Sequence, residues 1–330
     1  MSIKRIGLLT SGGDAPGMNP AIRGVVRMAT ALGVEVMGIE RGYRGLMEGE
    51  FHPLRIRDIG GILGRGGTLL QSARTEEFKT EAGRRDALHH LNKADIDGLI
   101  IIGGDGTHHG AFALAQMNYP VVTIPSTIDN DLCYTDITLG VDTVLNTVLD
   151  AIDKIRDTAS SHQRAFLVET MGRNSGYLAL MAGIAGGAEV ILIPEAPMTL
   201  EQIVEAIQAQ YALGKPHSLI VVAEGYKPGT MAVYEYLRER EKELGFTVRM
   251  TILGHIQRGG HPTAFERILA TRFAVAAVEH LVAGKHGVMV GLIDDKIQAT
   301  PLAQVVGCHK GADLNLYKLA QTLEYARAPK

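Results

Sequence analysis

Leu99-Ile100-Ile101-Ile102-Gly103-Gly104-Asp105-Gly106-Thr107 is the stretch that decides the fold. An unbroken β-branched run that ends in glycines reads as a strand buried on both faces, the habit of parallel sheets flanked by helices. Eight other runs share this character: Ile6–Thr10, Val34–Ile39, Val121–Ile124, Phe166–Val168, Val190–Ile193, Leu219–Ala223, Val248–Leu253 and Val288–Ile293. Helix-length segments separate them, so the chain is expected to be an α/β protein of βαβ units with ligands at the carboxyl ends of its strands.

Helix boundaries are also legible. Asn19 before Pro20 reads as an N-cap and first-turn proline, opening a helix whose apolar face holds Ile22, Val25, Val26 and Ala29. Thr199 with Gln202 has capping-box spacing. Val144, Val148, Ile152 and Ile155 line one face of a long helix after Gly140. At 330 residues the chain exceeds the usual single-domain size, so two α/β units or one large one are expected, with the Gly140 region and the stretch near Gly254 as candidate boundaries.

Hydrophobic residues make up 46% of the chain, charged residues 21%, and the net charge is −3. That balance fits a globular enzyme and excludes a basic surface for nucleic acid or membrane. Met1–Leu9 enters a strand at once and no apolar run approaches spanning length, so a cytoplasmic location is expected. Cys133 and Cys308, the only two cysteines, lie far apart in sequence and form no CxxC pair, so a reduced compartment with neither a disulfide framework nor a zinc site is expected.

The chemistry sits where the runs end. Ser11-Gly12-Gly13-Asp14-Ala15-Pro16-Gly17 is a glycine-rich turn feeding a helix, suited to presenting backbone amides to phosphate or simply to a tight strand-to-helix turn. In Gly103–Thr107 a lone carboxylate, Asp105, stands among glycines; it suits Mg²⁺ beside a nucleotide, or caps the next helix. Thr127-Ile128-Asp129-Asn130-Asp131 offers carboxylates at i and i+2, fit for accepting a hydroxyl proton or for an Asx-rich turn. Arg164, Arg173, Arg249, His255 and Arg258 are cations near element ends that suit phosphate or are solvated surface charges. Glu224 closes the run Leu219–Ala223, as an acceptor for sugar hydroxyls or as half of an ion pair.

Taken in order, these segments resemble the bacterial phosphofructokinase family from Ile3 to about Leu292. Gly103–Thr107 is also similar to a signature of NAD and lipid kinases, whereas Thr127–Asp131, Met171–Arg173 and His255–Gly260 resemble only the sugar-phosphate branch. The resemblance implies two similar Rossmann-like three-layer domains with largely parallel sheets and the active site in the cleft: residues 1–139 plus 255–303 bind ATP, and 140–254 plus 304–330 bind fructose 6-phosphate. It implies that Gly13, Arg74, Gly104, Asp105, Gly106 and Thr107 hold ATP, with Asp105 serving Mg²⁺. Thr127, Ile128, Asp129, Met171, Gly172, Arg173 and Glu224 would hold the sugar, His255 and Arg258 the 6-phosphate, and Asp129 would be the base, with Thr127, Arg173 and Gly13 also catalytic. Arg164 and Arg249 would come from a neighbouring subunit of a homotetramer.

Pyrophosphate-using members resemble GGDD in place of GGDG and carry lysine before the TIDND motif; here Gly106 and Ser126 stand at those places, so ATP is expected over pyrophosphate. Arg23, Arg27, Arg156, Glu189, Lys215 and His217 match parts of an effector site for ADP or phosphoenolpyruvate, while Leu213 and Pro216 replace common basic residues. An NAD or lipid kinase leaves the arginine and histidine set without employment, and a silent sugar-phosphate-binding subunit has no need of Asp105, Asp129 and Arg173 together.

Overall fold

The computed structural model describes residues 3–162, 164–212, 214 and 217–324. The first half runs β1 (Arg5–Ser11), α1 (Met18–Ala31), β2 (Glu35–Ile39), α2 (Tyr43–Glu48), β3 (Phe51–Pro53), α3 (Glu81–Lys93), β4 (Gly98–Gly103), α4 (Asp105–Gln116), β5 (Val121–Pro125) and α5 (Val141–His162). Then follow β6 (Arg164–Thr170), α6 (Tyr177–Ala185), β7 (Val190–Leu192), α7 (Leu200–Ala212), β8 (Ser218–Ala223), α8 (Thr230–Arg238), α9 (Glu241–Leu244) and β9 (Thr247–Ile252). The chain closes with α10 (Ala264–Val282), β10 (Val288–Ile293), β11 (Lys296–Pro301), α11 (Leu302–Val305) and α12 (Leu314–Glu324). Each of the nine apolar runs is a strand.

Contacts divide the chain into a first unit, Met1–Ile128, Leu132–Thr143 and Arg258–His309, and a second, Asp129–Asp131, Val144–Gln257 and Lys310–Lys330. The first unit holds a seven-stranded sheet in the order β11-β10-β5-β4-β1-β2-β3, parallel except for its two edge strands. Alternate strand residues serve opposite cores, as a pleat requires. Ile6, Leu8, Ile100 and Ile102 pack with Ile22, Val25 and Val26 of α1 and Phe273 and Ala277 of α10. Leu9, Leu99 and Ile101 pack with Leu46, Leu91, Ala111 and Leu114 from α2, α3 and α4 on the other face. The second unit holds a parallel sheet in the order β7-β8-β6-β9. Its Leu167, Leu192, Ile220 and Val248 pack with α7 and α8 through Ile203, Ile207, Val233 and Leu237. Among the described residues no helix is long and apolar enough to cross a membrane.

Two expectations are corrected. Asn19 is not the cap of α1: Gly17, at φ 99°, holds that place, a backbone region in which a side chain is strained. Asn19, 2% exposed, instead donates from Nδ2 to the carbonyls of Arg65 (3.2 Å) and Gly66 (3.1 Å) and accepts the amide of Leu69 at Oδ1 (2.7 Å). The cysteines are not free thiols either: Cys133 and Cys308 form a disulfide with Cα atoms 5.9 Å apart. Distance along the chain did not report distance in space, because the strand-end loop after β5 and the segment after α11 run side by side, with the Lys310 amide on the Asp131 carbonyl at 3.0 Å. The capping box at Thr199 and Gln202 is present as read, with reciprocal bonds of 2.8 and 3.2 Å.

Candidate functional site

In the first unit the carboxyl ends of β1, β4 and β5 lie side by side, because the register pairs Ser11 with Gly103 and Gly103 with Pro125. Three sequence-predicted segments therefore meet. Thr107 ties two of them, its Oγ1 donating to the Ser11 carbonyl at 3.1 Å. A Cβ on Gly103 would stand 2.5 Å from both that carbonyl oxygen and Thr107 Oγ1, so only glycine fits there. Over Gly106, by contrast, a Cβ would meet nothing within 4 Å, and the backbone lies open to an incoming group.

The turn after β1 is overlaid by the segment following Thr68. Ser72 Oγ donates to the Gly12 carbonyl at 2.5 Å, and Thr10 Oγ1 donates to the Gln71 carbonyl at 2.7 Å. Arg74, two residues past Ser72, is exposed. Arg258 lies over the same turn: its Nη1 donates to the Asp14 carbonyl at 2.9 Å, and a Cβ on Gly13 would stand 2.4 Å from it. His255 falls in the second unit and Arg258 in the first.

Asp105 is the first residue of α4 and makes no capping bond; Gly104 holds the cap position. Its side chain is 42% exposed and stands 3.3 Å from His109 Nδ1. Among the described residues no cluster of three or more potential ligands could cage a metal. One accessible carboxylate fits a Mg²⁺ that arrives with phosphates and keeps its waters, the usual habit of that ion. His108 is buried, and burial lowers its ring to about 4, so it is neutral near pH 7; its Nδ1 lies 2.8 Å from the Gly104 carbonyl and steadies that turn.

The loop between β5 and α5 carries Thr127, Ile128 and Asp129. It is closed at its neck: the Leu139 amide donates to the Pro125 carbonyl at 3.1 Å, and Thr138 Oγ1 to the Thr127 carbonyl at 2.6 Å. Ile128 is fully buried, while Thr127 and Asp129 are half-buried.

In the second unit β6 and β8 end together, pairing Thr170 with Ala223. Glu224 Oε1 accepts the amides of Arg173 (2.6 Å) and Gly172 (3.3 Å), so it shapes the turn bearing Arg173; among the described residues it forms no ion pair. That turn is demanding: Arg173 sits at φ 52°, which costs a non-glycine residue on the order of 1 kcal/mol, and a Cβ on Gly225 would meet the Arg173 carbonyl at 2.1 Å. Gln257, fully buried, accepts the Met171 amide at 3.1 Å and donates to the Gly254 carbonyl at 3.0 Å, joining this turn to the segment with His255.

Arg164 and Arg249 are not brought to these strand ends. Arg164 opens β6, and seven residues at about 3.3 Å each separate it from Met171 by about 20 Å. Arg249 pairs with Phe166 on the neighbouring edge strand, so it shares that remote end. Of the effector-type residues, Arg156 bonds the Gly186 and Gly187 carbonyls, and Glu189 accepts the Leu219 amide at 2.7 Å. Arg23 and Arg27 lie on α1, His217 is half-buried before β8, and Lys215, Leu213 and Pro216 lie outside the described residues.

Sequence reading passed over Asn19, Gln257, Ser72 and Glu266 as working residues. Thr263 and Glu266 have capping-box spacing, and Thr263 does cap α10 by accepting the Glu266 amide at 3.2 Å. The Glu266 side chain turns elsewhere, a departure that spacing could not reveal.

Glycine amides at neighbouring strand ends suit a polyphosphate, and a single open carboxylate suits its metal; fold and site together define an α/β phosphotransferase. The particular family follows from comparison: the phosphofructokinase family model matches residues 5–281, and the chain belongs to that family. It is 53% identical over 322 residues to ATP-dependent 6-phosphofructokinase 1 of Thermus thermophilus, covering 97% of this chain and 99% of that one. It is 51% identical to the ATP-dependent 6-phosphofructokinase of Thermotoga neapolitana, covering 97% and 100%. Among solved structures, Pichia pastoris phosphofructokinase in the T-state matches with a TM-score of 0.88 and 34% identity; the match covers 98% of this chain but only 37% of that longer one. A pyrophosphate-dependent phosphofructokinase from Marinobacter aquaeolei shares the fold at a TM-score of 0.85 and 23% identity, covering 95% and 86%.

Proposed function

We propose that the chain is a kinase that transfers the γ-phosphoryl group of Mg-ATP to the 1-hydroxyl of D-fructose 6-phosphate, giving fructose 1,6-bisphosphate and ADP. The observation that carries this reading is the side-by-side ending of β1, β4 and β5, which gathers Gly12–Gly13, Gly103–Thr107 and Thr127. Near-full-length identity with relatives named for that activity supports it. The open space over Gly106 favours a nucleotide over pyrophosphate, since the acidic side chain expected of pyrophosphate users is absent there.

In this reading Gly13, Arg74 and the Gly104–Thr107 backbone hold the nucleotide, and Asp105 holds Mg²⁺. When bound, the ion neutralises phosphate charge. Asp129 accepts the proton of the attacking hydroxyl, Thr127 and Ile128 orient the sugar, and Arg173 stabilises charge on the transferring group. Met171, Gly172, Glu224 and His255 complete the sugar side. Arg258, lying over Gly13, reaches either the 6-phosphate or the transferring group. Arg164 and Arg249 stand about 20 Å from the strand-end set of their own unit, which supports their service to a neighbouring subunit and hence a homotetramer. An effector response to ADP or phosphoenolpyruvate is proposed as weak, because Arg156 and Glu189 already bond backbone groups. We place the enzyme in the cytoplasm with its substrates.

The test is formation of fructose 1,6-bisphosphate from fructose 6-phosphate and Mg²⁺ with ATP in one arm and pyrophosphate in the other. Product with ATP alone is expected; product with pyrophosphate alone, or with neither, overturns the reading. Asp129→Ser should lower kcat by about 10²–10⁴ with fructose 6-phosphate binding retained.

A further inference from the structure

Glu266 is a carboxylic acid with 1% of its surface exposed, in the first turn of α10. Its Oε1 accepts the Gly140 amide at 2.8 Å, and its Oε2 accepts both the amide and the Oγ1 hydroxyl of Thr143 at 3.2 Å. In return the Thr263 amide donates to Thr143 Oγ1 at 3.2 Å, and the Thr263 hydroxyl donates to Asp142 Oδ2. The N-termini of α5 and α10 therefore face one another and cap each other across the gap. Two helix N-termini repel, each carrying roughly half a positive charge. The carboxylates of Glu266 and Asp142 lie between them and turn that repulsion into attraction.

The grip falls on the exit of the loop between β5 and α5. Gly140 has φ 110°, and a Cβ there would stand 2.8 Å from Ala15 Cβ and 3.1 Å from Ile128 Cγ2, so the amide held by Glu266 is set against the two loops. A Cβ on Gly17 would likewise meet Glu266 Cγ at 3.1 Å. One side chain thus touches the end of the turn after β1 and the end of the loop carrying Thr127, Ile128 and Asp129. We propose that Glu266 is a positioning residue for phosphoryl transfer, holding Gly140 and Thr143 so that the Thr127–Asp131 loop keeps its reactive shape; this rests on the kinase reading above.

Only the ionised form completes the clamp. A neutral carboxyl has one hydroxyl that must donate, so it cannot receive both groups of Thr143 while holding Gly140. Burial raises this carboxyl to about 7, against the bonds from Gly140 and Thr143. The charged side chain acting on it is Asp142 of α5, which raises it further. Gly17, beside it at the end of the turn after β1, carries no charge.

The experiment compares wild type with Glu266→Gln, measuring kcat and both KM values from pH 6 to 8.5, and following amide exchange at residues 138–143. Glutamine keeps one acceptor but presents an NH₂ to the Thr143 amide. Expected for Glu266→Gln are a kcat lowered on the order of tenfold to a hundredfold, an ATP KM within about twofold, and loss of the rise in kcat that wild type shows through about pH 7. Faster exchange at Gly140 and Thr143 is expected with it. An unchanged kcat with an unchanged pH profile overturns the proposal, as does unchanged exchange at those amides. Wild type without fructose bisphosphate formation would fail the kinase reading instead, and the exchange measurement would still decide whether Glu266 holds the loop. If Glu266→Gln does not fold, Thr143→Val, which deletes one of the three bonds to Glu266 together with the acceptor of the Thr263 amide, is read in the same assays with smaller shifts in the same directions.

Discussion

Replacing Cys133 and Cys308 together by alanine removes a cross-link between residues 175 apart. On the chain-entropy account, closing a loop of n residues lowers the unfolded-state entropy by about 2.1 + 1.5R ln n cal/mol/K, which for this loop is about 17 cal/mol/K, or about 5 kcal/mol at 25 °C. The native state loses little in exchange. Both cysteines are half-buried, and the loop keeps the Lys310 to Asp131 amide bond at 3.0 Å and the Leu292 amide on Thr135 Oγ1 at 3.1 Å. With about 2.1 cal/mol/K of unfolding entropy per residue over 330 residues, 5 kcal/mol corresponds to a Tm lower by about 7 °C. The chain has no tryptophan, so the transition is followed by circular dichroism or calorimetry, with and without dithiothreitol. Wild type should lose about 7 °C on reduction, and the double variant should melt at the lower temperature in both buffers. Equal Tm values for wild type with and without reductant, and for the variant, would refute the reasoning.

Other outcomes follow from single positions. Gly106→Asp should fold normally, since a Cβ there meets nothing within 4 Å, yet should raise the ATP KM at least about tenfold by setting a carboxylate against the phosphates; initial-rate kinetics and a melting curve check both halves. Gly103→Ala should destabilise by about 1–3 kcal/mol, read by urea unfolding, because its Cβ must displace the Ser11 carbonyl or Thr107. Glu224→Ala should release the Arg173 turn from φ 52° and lower kcat/KM for fructose 6-phosphate more than for ATP, as measured by varying each substrate in turn. Glu266 titrates near 7 when folded and near 4.5 when unfolded, so the native state binds the extra proton within that window and stability falls as pH rises through it, by about 3 kcal/mol. Urea midpoints at pH 5 and pH 8 should show that fall in wild type, and Glu266→Gln should lack it.

How much of this was legible depends on what holds each part. Continuous apolar runs mark strands covered on both faces, and each such run is a strand. β3 and β11 went unread because they are antiparallel edge strands; Lys296–Pro301 alternates exposed with partly buried residues and lacks the apolar continuity that marks an interior strand. The glycine turns and the Thr127–Asp131 loop were visible because they need particular residues at consecutive positions. Asn19, Gln257 and Glu266 were not, since each has a partner between about 45 and 125 positions away, and a local pattern offered Asn19 more ordinary employment as a helix cap. The Cys133–Cys308 bond belongs to the same class.

The interleaving of the two units also orders events at the ribosome. Residues 144–257 emerge as one continuous stretch carrying all four strands of the smaller sheet. The larger sheet begins first but waits: until α10 and β10 are made, Ile22, Val25 and Val26 of α1 lack their packing against Phe273 and Ala277, and β5 stands as an open edge. A chain stalled near residue 258 would therefore present all four strands of the second unit, still lacking α12, tethered to an unfinished, aggregation-prone first unit.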